Sequence, residues 1–389
     1  MMFNFNRSRK GPRNPVNDRA MKPAFVLFAL LYTSLNAQNP SPSSAPTPEA
    51  QASLTEAEKN ARLAVRQNPQ DASAHASLGV VLAKEGKYPE AISAYKRAFA
   101  LNPKLPGIQL NWGIAEFKQG HFHEAIAPLA AALTADPASV QARTLLGLSC
   151  YGAKKFADAA KYLEPAVWQD PANAELRKVL AQSCLLAKNY SCAESEFRQI
   201  IQQSPDSASA HVLMGEALDG LGRTPEAIVE FQAAATAAPR EPDVHFGLGY
   251  LQWKSNHFEE AKTSFQNELS LDLNHAQALA YLGDIAMKED NFDQALLYLE
   301  RATQQRNDLR IAYVDLGAVL MQQKRYPEAL AALQRAVKLD PAQPDAHFRL
   351  GRLYQAMGQP ADADREFAKV RELHQKADDL ASKMQKSPQ

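Results

Sequence analysis

Residues 77–103 read SLGVVLAKEGKYPEAISAYKRAFALNP. Seven places in this stretch return down the chain at a constant spacing of 34 residues: Leu78, Gly79, Leu82, Ala91, Tyr95, Ala98 and Pro103. The alanine keeps the beat from Ala57 through Ala91, Ala125, Ala159, Ala193, Ala227, Ala261, Ala295 and Ala329 to Ala363, with no insertion or deletion. The glycine recurs twelve residues ahead of it, at Gly79, Gly113, Gly147, Gly215, Gly249, Gly283, Gly317 and Gly351, with Ala181 in the one gap. A period of this length predicts an array of small identical units rather than one globular core.

Elementary packing accounts for the pattern. Gly79 and Ala91 are small because two antiparallel helices touch there. Leu78, Leu82, Tyr95 and Ala98 stand at helical spacing and surround that contact. One helix pair cannot bury its apolar face alone, so it stacks on its neighbours. Asn102-Pro103, Asp136-Pro137, Asp170-Pro171, Ser204-Pro205 and Asp340-Pro341 close one unit and open the next, because proline cannot continue the preceding helix. The middle turns, such as Glu85-Gly86-Lys87-Tyr88, carry glycine where a helix stops.

This order of small, bulky and proline places resembles the tetratricopeptide repeat (TPR), a helix–turn–helix unit of 34 residues. Nine full repeats start at 72, 106, 140, 174, 208, 242, 276, 310 and 344. The predicted organisation is a half repeat over 54–71, nine repeats over 72–375 and a long capping helix over 361–386. The expected fold is all-α, a right-handed α-solenoid superhelix. Three repeats depart from the pattern. The sixth has Glu268 and Leu273 in place of a small residue and proline, the seventh has Asn307 in place of proline, and the ninth has Gln375. Altered geometry is expected at the junction of the sixth and seventh repeats.

The amino end has a different character. Met21-Lys22 precedes an apolar run from Ala24 to Leu35, then Asn36-Ala37-Gln38. A short positive segment, an apolar stretch and a small residue resemble a secretory signal peptide over 1–37, with cleavage after Ala37. The other reading is an uncleaved anchor facing the periplasm, its basic residues on the cytoplasmic side. Either residues 1–20 extend the positive region, or Met21 rather than Met1 is the start. Residues 38–53 are rich in proline, serine and alanine and read as a disordered linker. The expected location is the periplasm or the extracellular space.

Lys plus Arg and Asp plus Glu are equal, 43 each, so no basic excess points to nucleic acid or an anionic membrane. Three cysteines are too few for a disulfide framework. Cys184 and Cys192 fall on either side of the fourth repeat's middle turn, where a disulfide or two packed thiols both fit. Cys150 reads as core. His75, His211, His245 and His347 share one place in four repeats and read as half-packed imidazoles. His121-Phe122-His123-Glu124 reads as a turn, lacking partners at zinc-site spacing. No H-E-x-x-H, G-x-S-x-G or G-x-x-x-x-G-K-[ST] occurs. No cofactor, metal or small-molecule substrate is therefore expected, nor an enzyme.

Binding remains. The resemblance implies that places two, five, nine, twelve and thirteen of each repeat line a concave face. In this chain they include Leu110, Ile114, Phe117, Leu148 and Tyr151 in the second and third repeats. The sixth contributes Phe246, Tyr250 and Trp253, flanked by the acidic Glu216, Asp219, Asp243 and Asp284; Met287, Val314 and Met321 follow. Exposed apolar groups of this kind mark interaction sites, and aromatics and methionine suit binding hot spots. The alternative is that neighbouring repeats bury them. Place nine reads Val80, Ile114, Leu148, Gln182, Glu216, Tyr250, Asp284, Ala318 and Arg352, and place six holds a single asparagine, Asn111. Neither a carboxylate clamp nor an asparagine ladder is present. The expected function is a non-catalytic scaffold for a protein or peptide partner in the periplasm or cell envelope, through an apolar groove with an acidic rim. The alternatives are a membrane-anchored assembly factor for a secretion, pilus or polysaccharide-export machine and a regulatory subunit of an enzyme complex.

Overall fold

A computed structural model describes residues 48–386. Among them are nineteen α-helices and no strand. They fall in two compact units that divide at Ala227 and Ile228, inside one helix. The first unit holds α1 (Pro48–Gln67), α2 (Ala72–Lys84), α3 (Tyr88–Leu101), α4 (Ile108–Lys118), α5 (Phe122–Ala135) and α6 (Val140–Gly152). It continues with α7 (Phe156–Gln169), α8 (Ala174–Leu186), α9 (Tyr190–Gln203), α10 (Ala208–Gly220) and the start of α11 (Thr224–Ala237). The second holds the rest of α11, then α12 (Val244–Lys254), α13 (Phe258–Leu271), α14 (Ala276–Lys288), α15 (Phe292–Gln305), α16 (Arg310–Gln322), α17 (Tyr326–Leu339), α18 (Pro344–Ala356) and α19 (Pro360–Lys386). The signal or anchor segment lies outside the described residues. Helix α1 begins at Pro48, inside the stretch read as linker. Proline at a first helical position removes an N–H that has no helical partner, and Glu49-Ala50-Gln51-Ala52 favour helix. Among the described residues no helix is long and apolar enough to cross a membrane.

Within each unit the helices pack in consecutive pairs, and each second helix packs on the next first helix. In seven repeats the glycine is a ledge for the side chain sixteen residues later. A Cβ at Gly79 would stand 2.6 Å from Tyr95 Cε1, at Gly113 2.5 Å from Leu129 Cγ and at Gly283 2.6 Å from Leu299 Cγ. The period alanines from Ala91 to Ala329 are fully buried. The glycine is thus small for the incoming ring or leucine, and the alanine for the helix contact.

The middle turn has one backbone form throughout. The residue fourteen after each repeat start is left-handed in all nine: Gly86, Gly120, Lys154, Lys188, Gly222, Asn256, Asp290, Lys324 and Gly358. Lys87 N–H reaches Leu82 O at 2.9 Å and Arg325 N–H reaches Leu320 O at 2.9 Å, which ends each helix in a Schellman turn. Glycine occupies this place in only four repeats.

The turns between repeats are held by a side chain as well as by proline. His75, His211 and His245 place Nε2 at 3.0, 2.8 and 3.0 Å from the carbonyl oxygens of Pro69, Pro205 and Pro239, six residues earlier. Arg143, Arg177 and His347 reach Pro137, Pro171 and Pro341 in the same way. These histidines are therefore turn staples rather than merely half-packed rings. Where Leu273 and Asn307 replace proline, an arginine from the following second helix serves that carbonyl: Arg301 donates to Leu273 O at 2.8 Å and Arg335 to Asn307 O at 2.9 Å. The backbone turn survives the loss of proline. Asp272 N–H still bonds Glu268 O at 2.9 Å, as Asp136 N–H bonds Ala132 O at 3.0 Å.

Helix α19 is 27 residues long, with Ala363 and Val370 buried and Glu372, Lys376, Asp378 and Asp379 exposed. It has the form of an array cap, apolar toward its neighbour and charged beyond.

Candidate functional site

In the second unit, the first helices of the sixth and seventh repeats are joined by rings. Tyr281 on α14 stacks on Phe265 of α13 at 5.4 Å between centroids. It also meets Phe246, Tyr250 and Trp253 of α12 at 6.0, 5.7 and 4.9 Å. These rings fill the space between α12 and α14. Sequence reading did not single out Tyr281. Its only signal is an aromatic at place six, where other repeats carry Ser77, Asn111 or Gly247.

The rings correct the reading of an open aromatic groove. Phe246 and Tyr250 are buried, and so is Val314. What stays half-buried is a row at place twelve, one residue per repeat: Trp253, Met287 and Met321. The acidic rim is also largely answered from within. Asp284 is buried; its Oδ2 accepts the Trp253 Nε1–H at 2.6 Å and pairs with Lys288. The Lys288 ammonium lies 5.7 Å from the Trp253 ring centre and 5.4 Å from that of Phe258, so one lysine serves carboxylate and both ring faces.

Asp243, the left-handed residue before α12, belongs to a clasp. Glu268 is fully buried; Oε1 accepts the Asp243 N–H at 3.0 Å and Oε2 the Phe246 N–H at 3.1 Å. Glu268 thus caps the first helix of its own repeat, which explains the departure from a small residue. His275 completes the set, with Asp243, Glu268 and His275 offering ligand atoms within 4.8 Å of one another. Hydrogen bonds account for this geometry without a metal. His275 Nδ1 accepts the Ala278 N–H at 3.1 Å, so its proton sits on Nε2 and goes to Asp243 Oδ1 at 3.0 Å. A neutral imidazole has one lone pair, and the helix cap uses it.

In the first unit, Leu110 and Ile114 are half-buried, whereas Phe117 and Leu148 are buried. The ring of Phe117 lies 5.6 Å from that of Phe122, and Tyr151 lies 5.8 Å from Phe156. Phe117, Leu148, Phe246 and Tyr250 therefore belong to the packing between helices rather than to an open surface. Tyr151 Oη donates to Gln182 Oε1 at 2.9 Å. Asp219 Oδ1 accepts the Thr224 hydroxyl at 2.9 Å. Glu216 differs: it is buried, its Oε1 has no hydrogen-bond donor, and burial pushes its carboxyl up to about 7. Sequence reading missed Glu116, a buried carboxylate that meets Trp112 Nε1 at 2.9 Å, Lys96 Nζ at 3.1 Å and His121 Nδ1 at 3.0 Å. Burial pushes this carboxyl up, and the three donors together outweigh that and hold it below its ordinary value. Of the stretch read as a turn only His121 lies in it; Phe122, His123 and Glu124 open α5, because His121 stands at its N-cap.

Family models for the tetratricopeptide repeat match residues 81–120 and 317–358, 110–174 and 246–309, 151–217 and 185–245, and 345–377. Together they cover well over half of the chain. The chain belongs to the tetratricopeptide repeat family. As a TPR array it is a scaffold for protein–protein interaction. No curated protein matches the sequence. Among solved structures the chain is similar to MamA from Desulfovibrio magneticus RS-1, at 24% identity over 43% of this chain and 96% of that one, TM-score 0.39. It is similar to YrrB, described as a TPR protein with an unusual peptide-binding site, at 20% identity over 46% and 91%, TM-score 0.39. It is also similar to PilF of Pseudomonas aeruginosa, at 16% identity over 51% and 91%, TM-score 0.47.

The TPR array carries one covalent crosslink. Cys184, near the end of α8, and Cys192, in the first turn of α9, form a disulfide with a Cα–Cα distance of 5.7 Å. Cys150 is a free, buried thiol that burial pushes up to about 11, which suits core rather than chemistry.

Proposed function

We propose that this TPR array is an exported scaffold that receives a protein or peptide partner on the first-helix row of Trp253, Met287 and Met321. The observation that carries the reading is that this row stays half-buried while the neighbouring Phe246 and Tyr250 are buried in packing. Three apolar side chains one repeat apart suit an extended segment or helix with apolar anchors. The two methionines adapt to such anchors at low cost, and the indole offers a fixed one. Export is supported by the signal-like segment and by the Cys184–Cys192 pairing, which suits an oxidising compartment.

Photo-crosslinking in the native host tests the docking row. A crosslinking residue at Met287 or Met321 is expected to give a discrete adduct, and one at the exposed Val229 is not. Adducts at Val229 and none at the row would overturn the reading. N-terminal sequencing of the mature chain tests export: a start at Gln38 fits a cleaved leader, and an intact amino end favours the anchored assembly factor.

A further inference from the structure

The inward places of the second unit hold three carboxylates, and each is answered within the chain. Asp243 accepts from His275 at 3.0 Å, Asp284 meets Trp253 and Lys288, and Asp345 takes both terminal nitrogens of Arg310 at 2.6 and 3.1 Å. Of the cations at those places, Lys288 is thereby used, and Lys254 is also engaged within the chain. Arg352, at place nine of the ninth repeat, is exposed and makes no ion pair or side-chain hydrogen bond among the described residues. Helix α19 runs unbroken from Pro360 to Lys386, so the described residues place no further first helix beyond α18 to answer it.

Arg352 stands at one end of the half-buried row. Place twelve of one repeat reaches place nine of the next: Tyr151 does so to Gln182 at 2.9 Å, and Trp253 to Asp284 at 2.6 Å. The same step from Met321 leads to Arg352, and α16 packs directly on α18. Asp315 and Arg349 tie these two helices at 3.6 Å, one turn before Arg352.

We propose that Arg352 receives an aspartate or glutamate side chain of the bound segment, beside the apolar anchor that meets Met321. This rests on the reading of Trp253, Met287 and Met321 as the docking row. The acidic groups of this face are already paired, so the charge left open on it is positive. A guanidinium presents a planar fork of donors that matches a carboxylate. Only one end of the row carries it. The segment therefore lies in one direction, its acidic residue at the Met321 end and away from Trp253.

A displayed library of random 12-residue peptides, selected against the full chain, tests the assignment. Binders are expected to weaken on the double substitution Met287→Ala and Met321→Ala, and to share an acidic residue at one fixed place on one side of their apolar residues. Replacing that residue by its amide should weaken binding to the parent chain about fivefold at low salt and leave binding to Arg352→Gln nearly unchanged. Arg352→Glu should reverse the preference, favouring a lysine at the same place of the peptide. Lys338→Gln, at an exposed cation on α17, should behave as the parent. Circular dichroism shows that each variant keeps its helical content. Row-dependent binders without a fixed acidic place, or an equal loss with Arg352→Gln, overturn the Arg352 assignment and leave the row standing. Binders indifferent to the methionine substitutions, or no binders at all, overturn both.

Discussion

Glu268 Oε2 accepts the backbone N–H of Phe246 at 3.1 Å, so the last turn of α13 closes the first turn of α12. A second oxygen holds Asp243 N–H at 3.0 Å. Removing the carboxylate leaves two N–H groups without an acceptor in a buried place. Glu268→Ala should therefore lower stability by about 2–3 kcal/mol, and Glu268→Gln, which keeps one acceptor, by roughly half of that. Amide exchange at Phe246 should speed up in both variants. An unchanged rate in Glu268→Ala would remove the capping role.

A methyl group at Gly283 has no room. Its Cβ would lie 2.6 Å from Leu299 Cγ, inside the contact that seats α15 on α14. Gly283→Ala gains up to about 1 kcal/mol of helix propensity but overpacks at a cost of about 1–3 kcal/mol. The net effect should be destabilising. Adding Leu299→Ala should recover much of the Gly283→Ala loss, so a double-mutant cycle by urea unfolding should show a coupling well away from zero.

The left-handed middle turn holds a lysine at Lys324, with φ of 59°. A side chain in that conformation costs roughly 1–2 kcal/mol, of which glycine's added freedom in the unfolded chain returns a part. Lys324→Gly should stabilise the chain by up to about 1 kcal/mol, read as a rise in Tm. The same substitution at Lys338, inside α17, should lower Tm, and that contrast isolates the turn conformation from the loss of charge.

Glu216 makes stability depend on pH in an unusual sense. Its folded carboxyl, pushed up to about 7 by burial, takes a proton more readily than the unfolded group at 4.5. The folded chain therefore holds the extra proton between these values. Its stability is full below pH 4.5, falls as pH rises to 7, and is level above, by about 3 kcal/mol in all. Glu216→Gln should be more stable than the parent at pH 8 and equal to it at pH 4. Parallel urea midpoints across this range would rule the effect out.

The disulfide closes a loop across the middle turn of the fourth repeat. Reduction, or the double substitution Cys184→Ser and Cys192→Ser, should cost about 2–3 kcal/mol of local stability. Amide exchange in α8 and α9 should respond before exchange in α16 and α17.

Periodic positions made the helix pairs legible, because Gly79 and Tyr95, or Gly283 and Leu299, are small and large at a constant offset. The face of a residue was legible too, but its exposure was not. Phe246 sits at an inward place, and its burial depends on how far Tyr281, 35 residues later, extends toward it. That distance follows from the volume of several rings together, which no single place in a repeat encodes. Glu268 was visible only as a departure, since its use depends on two N–H groups at the other end of the repeat. The staples between His211 and Pro205 were hidden for a simpler reason: a histidine four residues before a glycine looks the same whether or not its ring reaches a carbonyl.

The two ways of serving the turn carbonyl differ in what a copied segment carries with it. His211 and Pro205 lie six residues apart, so a duplicated block that includes the boundary brings both halves of the staple. Arg301 and Leu273 lie 28 residues apart, and a block cut anywhere in α14 separates them. Duplication can therefore lengthen this array cleanly at the histidine boundaries, whereas a copied block keeps the arginine contacts only if it runs unbroken from Leu273 through Arg301 or from Asn307 through Arg335.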